Sequence, residues 1–146
     1  MKGMKLILAA VAVFFFFGSV KLTQAQEIND AKTAYNDALT AMAKDPAAAV
    51  KSLQSCLDLC AKIGAPADSV KSAATSKFAE TYYNLATNQA RDKNLDGAVI
   101  NFKEAMKYGQ QTGNTEVLKR TNSALVRIYA IQANTLLTQK DVVKAQ

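Results

Sequence analysis

The side chains able to do chemistry are few, and their spacing decides what they can do. Cys56 and Cys60 are four residues apart. On a helix that spacing puts both thiols on one face without bringing them into disulfide geometry. Two thiolates alone are also a poor metal site. The pair is expected to fill space in a core, as free cysteines commonly do. Asp92 and Asp96 form a close acid pair beside an expected turn. Paired carboxylates do acid–base work only where burial or a cleft drives their pKa values apart. A polar turn between helices provides neither, so Asp96 is expected to complement the dipole of a helix's first turn. The chain has no His. That removes His general bases, Ser-His-Asp and Cys-His nucleophile systems, and His-ligated zinc. No catalytic, metal or cofactor residue is assigned, and the chain is expected not to be an enzyme. The remaining candidates are binding groups: a tyrosine ring to pack on a ligand at Tyr83, and guanidinium groups to meet a carboxylate at Arg91 and Arg127.

The elements that position these groups read as helices. The chain has 146 residues, 49% of them hydrophobic, with only 6 Gly and 2 Pro. That length suits one domain, and that composition favours helix over sheet. The first segment stands apart. Lys2 and Lys5 precede an unbroken apolar run from Leu6 to Phe17, followed by Gly18, Ser19 and then Thr23-Gln24-Ala25. This is the pattern of a cleavable signal peptide over 1–25, with Gln26 as the mature N-terminus. The run is well short of the roughly 20 residues that span a bilayer. No Cys lies near the cleavage site to carry a lipid. The protein is therefore expected to be exported, either periplasmic or secreted, with no membrane span in its mature segment. Cleavage takes away Lys2, Lys5 and Lys21 and no acid, so the net charge of +6 falls to +3. A balance that mild, with its lysines scattered, does not suggest a nucleic-acid partner.

After Gln26 the apolar spacing is helical throughout. Ile28, Ala31, Tyr35, Ala38 and Met42 make the first stripe, widened by Leu39. Asp45-Pro46 then starts a second helix, with Ala49, Leu53, Cys56, Cys60 and Ile63 on one face and Gly64 as a left-handed cap. A third helix runs from about Ala67 to Asp92. Asn94 caps a fourth, closed by Gly113-Asn114. Thr115 caps a fifth, and Asp141 is expected to cap a sixth that the sequence only begins.

Three turns share one pattern. Lys44-Asp45 with Ala49, Lys93-Asn94 with Ala98, and Lys140-Asp141 with Ala145 are spaced 49 and 47 residues apart. The acid or amide caps the helix after each turn, and the small Ala lets paired helices approach closely. The correspondence extends to Leu53 and Cys56 against Phe102 and Ala105, and to Phe78, Tyr82 and Ala86 against Leu125, Tyr129 and Ala133. A repeat of that period implies stacked hairpins, each burying its face against the next. The hairpins are expected at about 28–64, 67–113 and 115–146, the last incomplete, over a repeat domain of 26–146.

These residues resemble the tetratricopeptide repeat family. Tyr82, Leu85 and Ala86, followed by Ala98, Phe102 and Ala105, match one repeat well. Ala49, Leu53 and Cys56 give a weaker copy, as do Tyr129, Ala133 and Ala145. Lys44, Lys93 and Lys140 occupy the family's usual turn glycine, Gln89 stands at its usual tyrosine, and the period exceeds the family's common 34 residues. The Phe-rich run and Gln-rich cleavage zone are similar to those of exported Bacteroidota proteins. The resemblance implies an all-α, right-handed solenoid of antiparallel helix hairpins. It also implies a concave groove lined by the first helix of each hairpin, which takes a peptide or helix of a partner protein. Carried over, the groove positions are Glu80, Tyr83, Asn84, Thr87 and Arg91 from the middle repeat, and Arg127, Ala130, Ile131 and Asn134 from the last. The function implied is an exported scaffold for protein–protein interaction. The alternative is the N-terminal sensory region of a longer signalling protein such as a sensor kinase. The unfinished last hairpin favours a fragment, and it leaves a surface through which the chain is expected to be able to self-associate.

Overall fold

The computed structural model describes residues 23–144. Residues 1–22 of the expected leader lie outside them, as does Ala145. Among the described residues all regular structure is helical. Helix α1 occupies 23–41, α2 Pro46–Ile63, α3 Asp68–Arg91, α4 Leu95–Thr112 and α5 Thr115–Lys144, with a single 3₁₀ turn at Ala65–Ala67. No helix among the described residues is long and apolar enough to cross a membrane.

Each boundary has a local cause. Asp45 Oδ1 accepts the Ala48 N–H at 2.9 Å, with Pro46 in the first helical turn. Asn94 Oδ1 accepts the Gly97 N–H at 3.1 Å. Both satisfy backbone donors that an uncapped helix would leave open. The fifth helix departs from expectation. Its cap is Asn114, whose Oδ1 accepts the Val117 N–H at 3.1 Å, while Thr115 is already helical. Gly64 also differs from the left-handed cap expected of it. Its φ of 77° is positive, but its ψ is −146°, a region nearly closed to residues with a Cβ.

The aligned turns are not identical. Lys93 has φ 62° and is the one non-glycine residue with positive φ among the described residues. The Asn94 N–H reaches back to the Gln89 carbonyl at 2.9 Å and the Lys93 N–H to Ala90 at 3.2 Å, so α3 ends in a glycine-type cap built with lysine. Lys44, its counterpart, is not in that conformation. The third copy of the motif makes no turn. Helix α5 continues through Lys140 and Asp141 to Lys144, so the expected break and sixth helix at Asp141 are corrected to one uninterrupted helix. Asp is only mildly unfavourable inside a helix and does not by itself end one.

Packing runs along the chain: α2 against α3, α3 against α4 and α4 against α5, with α3 also touching α5. One core joins Ala31 and Ala38 of α1, Leu53, Cys56 and Cys60 of α2, and Ala74 and Phe78 of α3. A second joins Ala86, Ala98, Phe102, Leu125 and Ile128. Helices α2 and α4 bury equivalent positions: Ala49, Leu53 and Cys56 in one, Ala98, Phe102 and Ala105 in the other. Large side chains enclosed in this way, such as Leu53, Phe78 and Phe102, contribute about 1.5–3 kcal/mol each. The buried alanines set the close helix spacing. Phe78 stacks on Tyr82 and Tyr108, with centroids 5.7 and 4.6 Å away. Gln89, at the family's tyrosine position, accepts a 2.7 Å hydrogen bond from Asn101 Nδ2 across α3 and α4.

The expected core fails on α5, and Leu39, expected to widen the first stripe, is exposed as well. Tyr129 and Ala133 were aligned with half-buried Tyr82 and buried Ala86, yet both are exposed. In α3 the matching face is covered by α4. Helix α5 does not fold back, so nothing among the described residues covers its own.

Candidate functional site

Helices α3 and α5 diverge above α4 and leave a cleft of about 640 Å³. Tyr83, Thr87 and Arg91 line it from α3, spaced by four along one helix face. Arg120, Arg127 and Ile131 line it from α5, with Lys119 and Glu116 toward the start of that helix. Leu95 and Phe102 of α4, with Ile128, form an apolar floor. Five of the nine expected groove residues are therefore brought together: Tyr83, Thr87, Arg91, Arg127 and Ile131. Glu80, Asn84, Ala130 and Asn134 do not line this cleft. Asn134 instead borders a shallow hollow farther along α5.

Tyr83 is not the free ring that was expected. It is half-buried, its edge meets Phe102 at a centroid distance of 5.5 Å, and the Arg120 guanidinium lies 4.1 Å from its ring centroid. One face is thus already occupied by a cation. Thr87 is also engaged, its hydroxyl donating to the Tyr83 carbonyl at 2.8 Å. Arg91 and Arg127 are exposed and make no ion pair among the described residues. Lys119, Arg120 and Glu116 were not singled out from the sequence. The signal was available, because 116, 120, 123, 127 and 131 recur at helical spacing and place Arg120 in line with Arg127.

The cleft carries four cations against one carboxylate, over a floor that is aromatic and aliphatic. Such a surface attracts negative charge from a distance. It can fork a carboxylate with a guanidinium, and it can take an apolar side chain on Phe102 and Ile128. No cluster of three or more metal-ligating side chains occurs among the described residues.

Ionisation is shifted elsewhere in the molecule. Burial pushes the Cys56 thiol up to about 12, helped by the charge and hydrogen bonding of Cys60. Both cysteines are enclosed and unpaired in disulfide terms, and a thiol held neutral is a poor nucleophile. Burial also raises Tyr82, with Tyr108 and Glu104 adding and Lys107 opposing. Lys107 is raised by its 2.9 Å contact with Glu104. Asp96 sits in the first turn of α4 and accepts the Gln132 side-chain amide at 2.9 Å, so it ties α4 to α5.

No family model matches the chain, and no curated protein or solved structure matches it.

Proposed function

We propose that the protein is an exported binding scaffold that holds an acidic, partly apolar segment of another protein in the cleft between α3 and α5. It does so without chemistry of its own. The observation that carries this reading is the cleft's composition. Arg91, Lys119, Arg120 and Arg127 surround an apolar floor of Leu95, Phe102 and Ile128. A peptide helix with carboxylates on one side and a leucine-like anchor on the other complements both features. Arg120 is partly held by Tyr83, so Arg91 and Arg127 are the groups most available for carboxylates. Export follows from the sequence pattern of residues 1–25, and stacked hairpins of the tetratricopeptide type are the fold arrangement this reading prefers. The resemblance at Tyr82, Leu85, Ala86, Ala98, Phe102 and Ala105 supports that arrangement.

The test is a photo-crosslinking residue placed in native cells at Ser123, inside the cleft, and in a separate strain at Asn122, on another face of α5. Ser123 should give an adduct within an acidic segment of a defined protein, and that adduct should be lost with Arg91→Glu/Arg127→Glu. Equal adducts from both positions, or none from Ser123, would overturn the reading.

A further inference from the structure

Of the four cations in the cleft, Arg120 is the one whose guanidinium has a fixed place among the described residues. Its Cζ lies over the Tyr83 ring, 4.1 Å from the centroid. The ring is itself held, half-buried and meeting Phe102 edge-on at 5.5 Å and 60°. Arg120 has another partner close by. Glu116 stands four residues earlier, the favourable spacing and order for an ion pair on a helix, and both residues line the cleft. Yet the one ion pair among the described residues joins Lys107 to Glu104. The Arg120 guanidinium thus sits on the ring rather than on the acid. A ring engages the face of a guanidinium, whereas the N–H donors lie along its edge. None of those donors meets an acceptor among the described residues. From this geometry we infer that Arg120 is the pre-oriented carboxylate receptor of the cleft, and that Tyr83 is the residue that positions it. The assignment rests on the reading of this cleft as a site for acidic segments.

Conformational freedom separates Arg120 from the other two arginines. Arg91 and Arg127 are exposed, with neither a ring nor an acid to hold them among the described residues. They are free to reach out and attract an acid first, but each must be immobilised as it binds. Fixing one long side chain weakens binding roughly three- to tenfold. Arg120 is already ordered in the free protein, so a carboxylate on it escapes that loss. A carboxylate on Arg120 also sets the register of the ligand. Arg120 and Phe102 touch the same tyrosine ring, so the acid-binding point adjoins the apolar floor. The matching pattern in a helical ligand is an acid one turn from its apolar anchor, since side chains three or four residues apart are neighbours. An acid two turns from the anchor, about 11 Å along the axis, falls beyond Arg120.

The first test needs no peptide. Arginine Nε–Hε signals of the full chain are followed by nuclear magnetic resonance while succinate is added. Arg120 should show an upfield ring-current shift before any addition. It should respond at roughly three- to tenfold lower succinate than Arg91 or Arg127. Tyr83→Phe should keep both features. Tyr83→Leu should abolish the shift and leave Arg120 responding like the other two, with helical circular dichroism unchanged. Arg120→Lys, at an exposed position, tests the same point should Tyr83→Leu unfold. Tyr83 ring signals should then respond to succinate in the parent and not in this variant. The inference is overturned by an Arg120 that answers succinate no earlier than Arg91 and Arg127, by a shift that survives Tyr83→Leu, or by Tyr83 signals that respond equally in Arg120→Lys. Two labelled amphipathic peptides separate the inference from the reading it rests on. The peptide with Glu four residues from its Leu anchor should bind roughly three- to tenfold tighter than one with Glu eight residues away, and Arg120→Lys should erase the difference. Equal binding of both by the parent would overturn the register assigned to Arg120. Binding of neither, with the succinate response intact, would defeat the peptide reading and leave the receptor standing.

Discussion

Thr81 and Thr121 are the buried polar residues among the described residues, each 0% exposed, one in α3 and one in α5. Their hydroxyls differ. Thr81 Oγ1 donates to the Lys77 carbonyl at 2.8 Å, whereas Thr121 Oγ1 is enclosed without a partner. Replacing each by Val conserves shape and leaves helix propensity nearly unchanged. At Thr121 the change removes a desolvated, unsatisfied hydroxyl, which costs about 1–3 kcal/mol. It also buries a methyl group in its place, worth up to about 0.8 kcal/mol. Thr121→Val should therefore stabilise the fold by about 1–2 kcal/mol. At Thr81 a hydrogen bond worth about 1 kcal/mol is lost against the same apolar gain, so Thr81→Val should lie within about 0.5 kcal/mol of the parent. Urea unfolding followed by far-ultraviolet circular dichroism separates the two, provided the slope against denaturant stays constant. In thermal scans Thr121→Val should raise Tm by about 4–8 °C. A neutral or destabilising Thr121→Val, or equal shifts from the two variants, would refute the reasoning. Either result would mean that the Thr121 hydroxyl is satisfied.

Three other outcomes follow from the same geometry. Lys93→Val should cost about 1–2 kcal/mol, because a β-branched residue resists φ 62°, while Lys44→Val at the aligned turn should cost clearly less; chemical denaturation of both variants checks this. Phe102→Ala should cost about 3–5 kcal/mol and also remove the floor of the cleft, so loss of ligand must be read only at temperatures where circular dichroism shows the variant folded. The raised Cys56 thiol favours the fold fully below its ordinary value of 9.0, and that contribution is lost as pH climbs toward about 12. The unfolded chain releases the proton first, so stability should fall with pH across that window, and Cys56→Ala should flatten the slope in denaturation curves at pH 8 and pH 10.

Helix type and most caps were legible because they rest on local rules. Asp45-Pro46, Asn94 and Gly113 each carry a backbone requirement that one residue meets. The core of α2 and α4 was legible from its repeat, since Ala49 and Ala98, or Leu53 and Phe102, occupy the same register and are buried alike. Legibility ended where the outcome depended on tertiary context. Asp141 carries a cap signal, but a cap needs a chain that turns, and α5 runs on. Tyr129 and Ala133 have core character but no covering helix among the described residues. Tyr83 was aligned to the groove, yet sequence cannot tell that Arg120 lies over its ring. Lys119 and Arg120 were missed because the groove positions carried over to α5 begin at Arg127, whereas the cleft is also lined from the first turns of that helix.

The central claim is that the cleft between α3 and α5 reads negative charge together with an apolar anchor. The most direct measurement is fluorescence anisotropy with two labelled amphipathic peptides that share one leucine face, one carrying Glu on its other face and the second Lys. The parent protein should bind the Glu peptide, less tightly as salt rises, and should not bind the Lys peptide. Arg91→Glu/Arg127→Glu should reverse that preference. Equal binding of both peptides by the parent, or a double variant that holds the Glu peptide as well as before, would contradict the account.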